Sequence, residues 1–393
     1  MVLILAAMMT VRANLASDHR ASAANRDSHG AAPAFSHSYP PDPVQVERPK
    51  VSGPPPRVSP GHRLSGKLTI TSFPQLLHRL PAGTLVDAGD HWFLRSPISF
   101  ADHATLSIKG ASRIDLGPNA FIEAESGGTV RLEDETVTAV DQNGRVLDGP
   151  SSSAGFLDAI DGGRLVLIHD RLIRLGHAGV ESYGVSMREP GIGSQVSECT
   201  IEGDYIGVYL SHAVGVRIIG NRVLDSVIYG IDPHTDSTDI LIESNVIRNS
   251  GVHGIILADG VVDSHIESNV LEGSHLHGIV LYRGSNHNVV WNNRIAGAFD
   301  GIVVTDSSSS TISANTISGI QRFGLRVSGQ SRGNELAGNV VTDALLGAYL
   351  YDGATANVLR DNRLAGRLEV VRIRCDAPGN RVSPVPPRSE VSP

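Results

Sequence analysis

Glycine and asparagine recur along this chain on one shared beat, and that beat limits the fold more than any other feature of the sequence. A glycine followed by an apolar run returns at Gly184, Gly207, Gly230, Gly254, Gly278, Gly301, Gly324 and Gly347, each 23 or 24 residues after the last. Asn221, Asn245, Asn269, Asn293, Asn315, Asn339 and Asn362 keep nearly the same interval. Two independent markers at a period of this length indicate a solenoid with one coil per repeat.

Inside each coil the apolar residues alternate over short runs, as at Ile255 and Leu257, and the runs are separated by Gly, Asn, Ser or Asp. Alternation bounded by turn residues reads as strand, and the runs are too short for helices. The expected fold is therefore all-β, a right-handed parallel β-helix with coils of about 23–24 residues. Stacked coils bury Ile, Val and Leu in a common core, and the recurrent asparagine is expected to form a buried ladder of side-chain amides at a turn. An apolar content of 40% with only 5% aromatic residues suits so thin an aliphatic core.

The first coils are expected from Lys67, with strands at 104–108, 113–116, 120–123 and 128–132 and a short capping helix at Leu76–Arg79. A cap is needed because an open end leaves strand edges and core exposed. The β-helix is placed at residues 67–376. Residues 1–24 read as an export signal, with an apolar start and Ala21-Ser22-Ala23 as a small-residue cleavage site. Residues 25–66, rich in Pro, Ser and Ala, read as a disordered linker, and 377–393 as a second tail. The protein is thus expected to be exported, periplasmic or secreted. No stretch is long and apolar enough to span a bilayer.

Two cysteines are too few for a disulfide framework or a zinc site, and Cys199 lies within an apolar run as a core residue. The net charge is −8; residues 1–66 hold seven Lys/Arg against four Asp/Glu, which leaves 26 against 37 in the remainder. That balance argues against a nucleic-acid partner. It suits a polyanionic substrate only where basic residues cluster locally. Oligomeric state is not legible in the sequence.

One stretch breaks the repeat: Tyr229-Gly230-Ile231-Asp232-Pro233-His234-Thr235-Asp236-Ser237. Counting from each repeat glycine, the first and third residues are mostly apolar and point inward, so the second and fourth point outward. The outward pairs include Ser186 with Arg188, Tyr209 with Ser211, Asp232 with His234, Ile256 with Ala258, and Val280 with Tyr282. Of these coils, one alone sets a carboxylate beside an imidazole. Coils stack about 4.8 Å apart, which brings Asp259 of the next coil within reach of His234. Tyr209, Tyr229, Tyr282 and Arg283 extend the same surface into a groove suited to a polysaccharide, because rigid strands carry a site across several coils.

Blander readings compete at each position. His253 and His277 precede repeat glycines in the column of Tyr229, and the pattern favours stacked turn residues that at most touch substrate. Asp-Pro-His could be only a kink, since proline removes a ladder donor, but that leaves the outward Asp/His pair unexplained. No cofactor motif is present; Asp232, His234 and Asp259 could hold a metal, and oxygen ligands would favour calcium.

From Trp92 to Leu364 the sequence resembles the mannuronan C5-epimerases of alginate biosynthesis, of both the periplasmic and the secreted calcium-dependent types. The resemblance rests on Tyr183-Gly184-Val185-Ser186, on Tyr229-Gly230-Ile231-Asp232-Pro233-His234, on His253-Gly254-Ile255-Ile256 and on Gly278 to Ser285. It implies C5 epimerisation of uronates within an anionic polysaccharide: a proton is removed next to the carboxylate and one is returned from the opposite face. His234 is then implied as general base, a task that suits an imidazole because its unperturbed pKa of about 6.5 lies near neutral pH, and Asp232 as its orienting neighbour. The returned proton would come from water or Tyr229, and something must quench the substrate's charge. Where the periplasmic enzymes have arginine this chain has Asp259, and where they have aspartate after the histidine it has Thr235. The secreted type matches better at the Ala258-Asp259 pair. Arg283 could supply the missing positive charge. The candidate catalytic residues are thus His234, Asp232, Asp259 and Tyr229, and the candidate substrate contacts Tyr209, Arg188, His253, His277, Tyr282 and Arg283. A β-eliminating lyase and a non-catalytic carbohydrate-binding β-helix are the rival readings.

Overall fold

A computed structural model describes residues 61–383 apart from residue 180. The expected signal segment, most of the linker and the end of the C-terminal tail lie outside the described residues. Within them the chain is a parallel β-helix with three faces, strands of successive coils pairing in parallel and in register. One coil illustrates the path: Tyr229–His234 forms the first face, Leu241–Glu243 the second and Val246–Arg248 the third, before His253–Ala258 returns to the first. The interior is a mainly aliphatic column, with Ile231, Ile242 and Ile247 all buried in that coil, and a second buried apolar cluster that includes Tyr183, Tyr209, Tyr229 and Ile256 lies on the first face.

The repeat glycines are there for space. A β-carbon on Gly230 would lie 2.5 Å from the carbonyl oxygen of Gly254 and 2.6 Å from a methyl of Ile247, and Gly207, Gly254, Gly278 and Gly301 meet the same obstruction. The glycine position faces inward like the residue after it, so the alternation slips there, and the residue before the glycine joins the outer face.

The asparagines form the ladder that their spacing predicts. Asn245 accepts from the backbone N–H and the side-chain amide of Asn221 at 2.9 Å, and each asparagine repeats this with the next through Asn362. A second ladder, which the regular glycine and asparagine count misses, runs through Ser264, Asn288, Ser310, Asn334, Asn357 and Asn380 on another corner.

The ends differ in detail from expectation. The capping helix spans Phe73–Leu77, earlier than 76–79, because the Ser72 side chain accepts from the N–H of Gln75 and fixes its start. Phe73 and Leu76 close the first coil, and the rings of Phe73 and Trp92 lie 5.5 Å apart. Strand pairing also outlasts the expected 67–376: His62–Ser65 pairs with Ile98–Ala101, and Arg381–Ser383 with Val358–Arg360. Pairing across coils supplies hydrogen bonds that composition does not reveal. No helix among the described residues is long and apolar enough to cross a membrane.

Candidate active site

The strand Tyr229–His234 lies between Ile206–Ser211 and His253–Ala258, in register, so that Tyr209 sits beside Asp232, and Ser211 and Ala258 flank His234. Ile231 is in the core, which leaves Asp232 and His234 on the outer face with Tyr229, as the slip at Gly230 requires. Asp232 is buried at the floor of this face, and the His234 side chain keeps 16% of its surface exposed.

The turn after each strand completes the site. Thr235, Asp259 and Arg283 all adopt left-handed backbone conformations at the same corner of successive coils. His234 Nδ1 lies 2.6 Å from Thr235 Oγ1, and Nε2 lies 3.4 Å from Asp259 Oδ2. Arg283 grips Asp259 in turn, with Nε 2.6 Å from Oδ1 and Nη2 2.9 Å from Oδ2. Its guanidinium also lies over the Tyr282 ring, 4.8 Å from the centroid. An imidazole, a carboxylate and a guanidinium therefore form one chain across three coils. An imidazolium formed there would find an oxygen for each N–H, Thr235 Oγ1 at one nitrogen and Asp259 at the other.

Tyr209 flanks this group, its ring 6.1 Å from that of His234 and edge-on to Tyr183 at 4.8 Å. Tyr229 opens the strand that His234 closes. Five residues of strand separate them by roughly 16 Å, on either side of Asp232. The ring of Tyr229 is parallel to His253 at 5.3 Å, and His253 to His277 at 4.9 Å. Both imidazoles are nearly buried, and burial pushes His253 well below its ordinary pKa, with His277 adding to the shift. His277 Nδ1 lies 3.5 Å from Asp300, which Arg322 holds through two contacts of 2.9 and 2.7 Å. Arg188 lies in the column of His234, two coils before it with Ser211 between, and is bound to Asp161 and Glu181 at 3.0 Å each.

Sequence reasoning missed Arg322, Arg326 and the edge contact of Tyr183. Arg326 had a signal: it is the second residue after Gly324, the position that Asp232 occupies after Gly230. Among the described residues no group of three or more His, Cys, Asp or Glu is arranged to hold a metal ion.

Fold and face together define a β-helix protein with an acid–base group set in an elongated outer surface. In sequence the chain is similar to the mannuronan C5-epimerase of Pseudomonas aeruginosa, 28% identical over 189 residues, and to that of Azotobacter vinelandii, 27% identical over 187. Each alignment covers 44% of this chain but 35% and 36% of the relatives, so the chain spans about a third of the length of the curated relatives it matches. Residues 234–381 match the family described as periplasmic copper-binding protein (NosD), and residues 151–295 that described as right handed beta helix region. In structure it resembles the periplasmic alginate epimerase AlgG, with a TM-score of 0.69 at 20% identity over 82% of this chain and 83% of that one. The A-module of the Azotobacter vinelandii mannuronan C-5 epimerase AlgE4 follows at 0.54 and 15% identity, over 82% and 89%. At these identities the structural likeness establishes the right-handed β-helix.

Proposed function

We propose that this protein is a uronate C5-epimerase acting on an anionic polysaccharide of the alginate kind, outside the cytoplasm. The observation that carries the reading is the linked group His234–Asp259–Arg283, which runs across three coils from the one that departs from the repeat. His234 takes the C5 proton on Nε2, which requires its Nδ1–H to donate to Thr235. The C–H electron pair moves toward the substrate carboxylate, whose growing charge needs a cation nearby. Arg283, one coil beyond Asp259, serves there. Asp259 accepts from the imidazolium and is itself held by Arg283. The proton returned to the opposite side comes from Tyr229 or from water. A phenol and an imidazole at opposite ends of one strand suit this, since they flank whatever binds over Asp232 instead of standing side by side. Similarity to mannuronan C5-epimerases supports the reaction class, and AlgG, a periplasmic alginate epimerase of the same fold, supports a periplasmic setting.

The test is incubation of the full chain with polymannuronate in deuterated water, with and without calcium, followed by proton NMR. Deuterium at C5 in intact chains is expected, and His234→Ala should lower its uptake by about 10²–10⁴ while the circular dichroism spectrum stays unchanged. Unsaturated ends would make the protein a lyase. No change in any uronate polymer would make it a binding protein.

A further inference from the structure

The residue before each repeat glycine forms a column of its own on the first face, and beside the candidate site that column is made of rings. Tyr229, His253, His277 and Asp300 pair in register on four successive coils. The ring of Tyr229 lies within 3° of parallel to that of His253, and His253 within 12° of His277, with centroids 5.3 and 4.9 Å apart. These separations match the spacing of the coils and the range of offset-stacked rings, so each ring is held by the next. Val252, Ile256, Leu276 and Val280 belong to the same buried cluster as Tyr229, and the three ring residues keep only 5–8% of their surface exposed. The far end of the column is fixed. Asp300 meets His277 Nδ1 at 3.5 Å and accepts from Arg322 at 2.9 and 2.7 Å and from the N–H of Phe323 at 3.2 Å. Arg322 lies against the rings of Phe299 and Phe323, 4.5 and 4.4 Å from their centroids. Breaking a buried ion pair strands a charge, which is strongly disfavoured, so this end stays in place.

The near end is Tyr229, roughly 16 Å along the strand from His234. Two groups so placed serve one carbon from opposite sides only if each is aimed, since a misplacement of about 1 Å can cost about 10²-fold in rate. We propose that His253 and His277 are positioning residues, which hold the Tyr229 ring on line to return the proton at C5. His253 brings no charge of its own to the column, because burial keeps it well below its ordinary pKa. The inference rests on the epimerase reading, with Tyr229 as the acid. In a productive turnover His234 takes the C5 proton, the C–H electron pair moves onto the carboxylate group, and the phenol gives its proton to the other face of C5 and becomes a phenolate. Solvent then restores both side chains. With the phenol off line, the imidazolium exchanges its proton with solvent and returns one to the face it came from. The sugar is then labelled but not inverted.

The experiment follows the full chain on polymannuronate in deuterated water at low conversion. Deuterium NMR separates C5 label in guluronate, which has been inverted, from label in mannuronate, which has not. Tyr229→Phe sets the label ratio expected without the acid. His253→Asn removes the ring and keeps a polar side chain, whereas His253→Phe keeps a ring and removes both nitrogens. His253→Asn should lower kcat for inversion by about 10–10²-fold, leave KM within about twofold and raise the mannuronate share of the label about fivefold or more, toward that of Tyr229→Phe. His253→Phe should recover most of this loss, and His277→Asn should fall between. The ratio is taken within one protein, so a smaller folded fraction does not move it; if circular dichroism shows His253→Asn unfolded, His277→Asn carries the same test. An unchanged ratio in the Asn variants, a Tyr229→Phe ratio equal to that of wild type, or a loss in His253→Phe without one in His253→Asn would overturn the inference while epimerisation by the wild type stands. No C5 label with the wild type would remove the epimerase reading and this inference with it.

Discussion

The asparagine ladder and the outward row of Asp232 are both made of one residue per coil at the same vertical spacing, yet the ladder repeats its residue and the row changes at almost every coil. The difference lies in what each position faces. Asn245, Asn269 and Asn293 each meet an identical amide above and below and a backbone carbonyl alongside, so one residue solves every coil. Outward positions meet a ligand or solvent, and nothing in the fold asks Tyr209, Asp232 and Ile256 to agree. Within the ladder the identity changes only toward the N-terminal end. There Ser112 donates its N–H to Glu135, Glu135 to Asp170, and Cys199 to Asn221, the same geometry with acids and a thiol in place of amides. Repetition marks what the fold needs, a break on the outer face marks chemistry, and a break inside marks a local change in stability.

Cutting one rung should separate these roles most sharply. Asn269→Ala removes the acceptor for both the N–H and the amide of Asn245 and the donor to the carbonyl of Ile242, all fully buried. Each orphaned group costs about 1–3 kcal/mol, so a loss of about 3 kcal/mol or more is expected in urea denaturation. Loss below about 1 kcal/mol would mean that water enters the corner and the ladder is replaceable.

The same contrast explains what was legible beforehand. The fold could be read because glycine and asparagine serve a steric and a hydrogen-bonding need that recurs unchanged, and the site could be found because Asp232 and His234 broke the rule. Tyr209, Tyr282 and Arg283 follow from strand alternation and coil stacking. Arg326 stood at the regular outward position, but its link to Asp300 and Arg322 was not legible, since Arg322 precedes the regular positions and its partner lies a coil away. Nor was the acidic stretch of the ladder: Cys199 keeps the count, 22 residues before Asn221, but before Tyr183 the insertions between coils vary and Asp170 and Glu135 fall off it.

A smaller effect is expected where the repeat is steric. At Gly301 a β-carbon would sit 2.4 Å from the Gly324 carbonyl oxygen and 2.6 Å from a methyl of Ile317. The backbone oxygen cannot step aside, so Gly301→Ala should cost about 1–3 kcal/mol through overpacking. Because it lies three coils from His234, deuterium uptake at low temperature should change less than threefold. A larger loss of activity would show that the outer face does not tolerate strain from the glycine column.

The smallest effect concerns the acidic rungs, and its sign is the opposite of what carboxylates usually give. Burial is the main cause that lifts Asp170 to about 7 and Glu135 likewise to about 7. Unfolded, a carboxyl of this kind releases its proton near pH 4. Between roughly pH 4 and 7 the native state therefore holds protons that the unfolded state has lost, and stability falls as pH rises through that window. His253 works the other way: its native pKa is depressed, so the unfolded chain takes up a proton that the native state does not, and stability falls as pH drops below about 6.5. Comparing Asp170→Asn with wild type at each pH cancels the histidine and isolates the rung. At pH 5 the variant should be the less stable, because the substituted amide offers one oxygen where the carboxyl group offers two, and the N–H of Ile168, now bonded to Oδ2 at 3.0 Å, loses its partner. By pH 8 the difference should shrink or reverse, a change on the order of 2 kcal/mol, with Glu135 still contributing its own slope in both proteins. Parallel stability curves from pH 5 to 8 would mean that Asp170 is ionised inside the ladder. The acidic rungs would then be ordinary acceptors, and the interior break would carry no pH dependence.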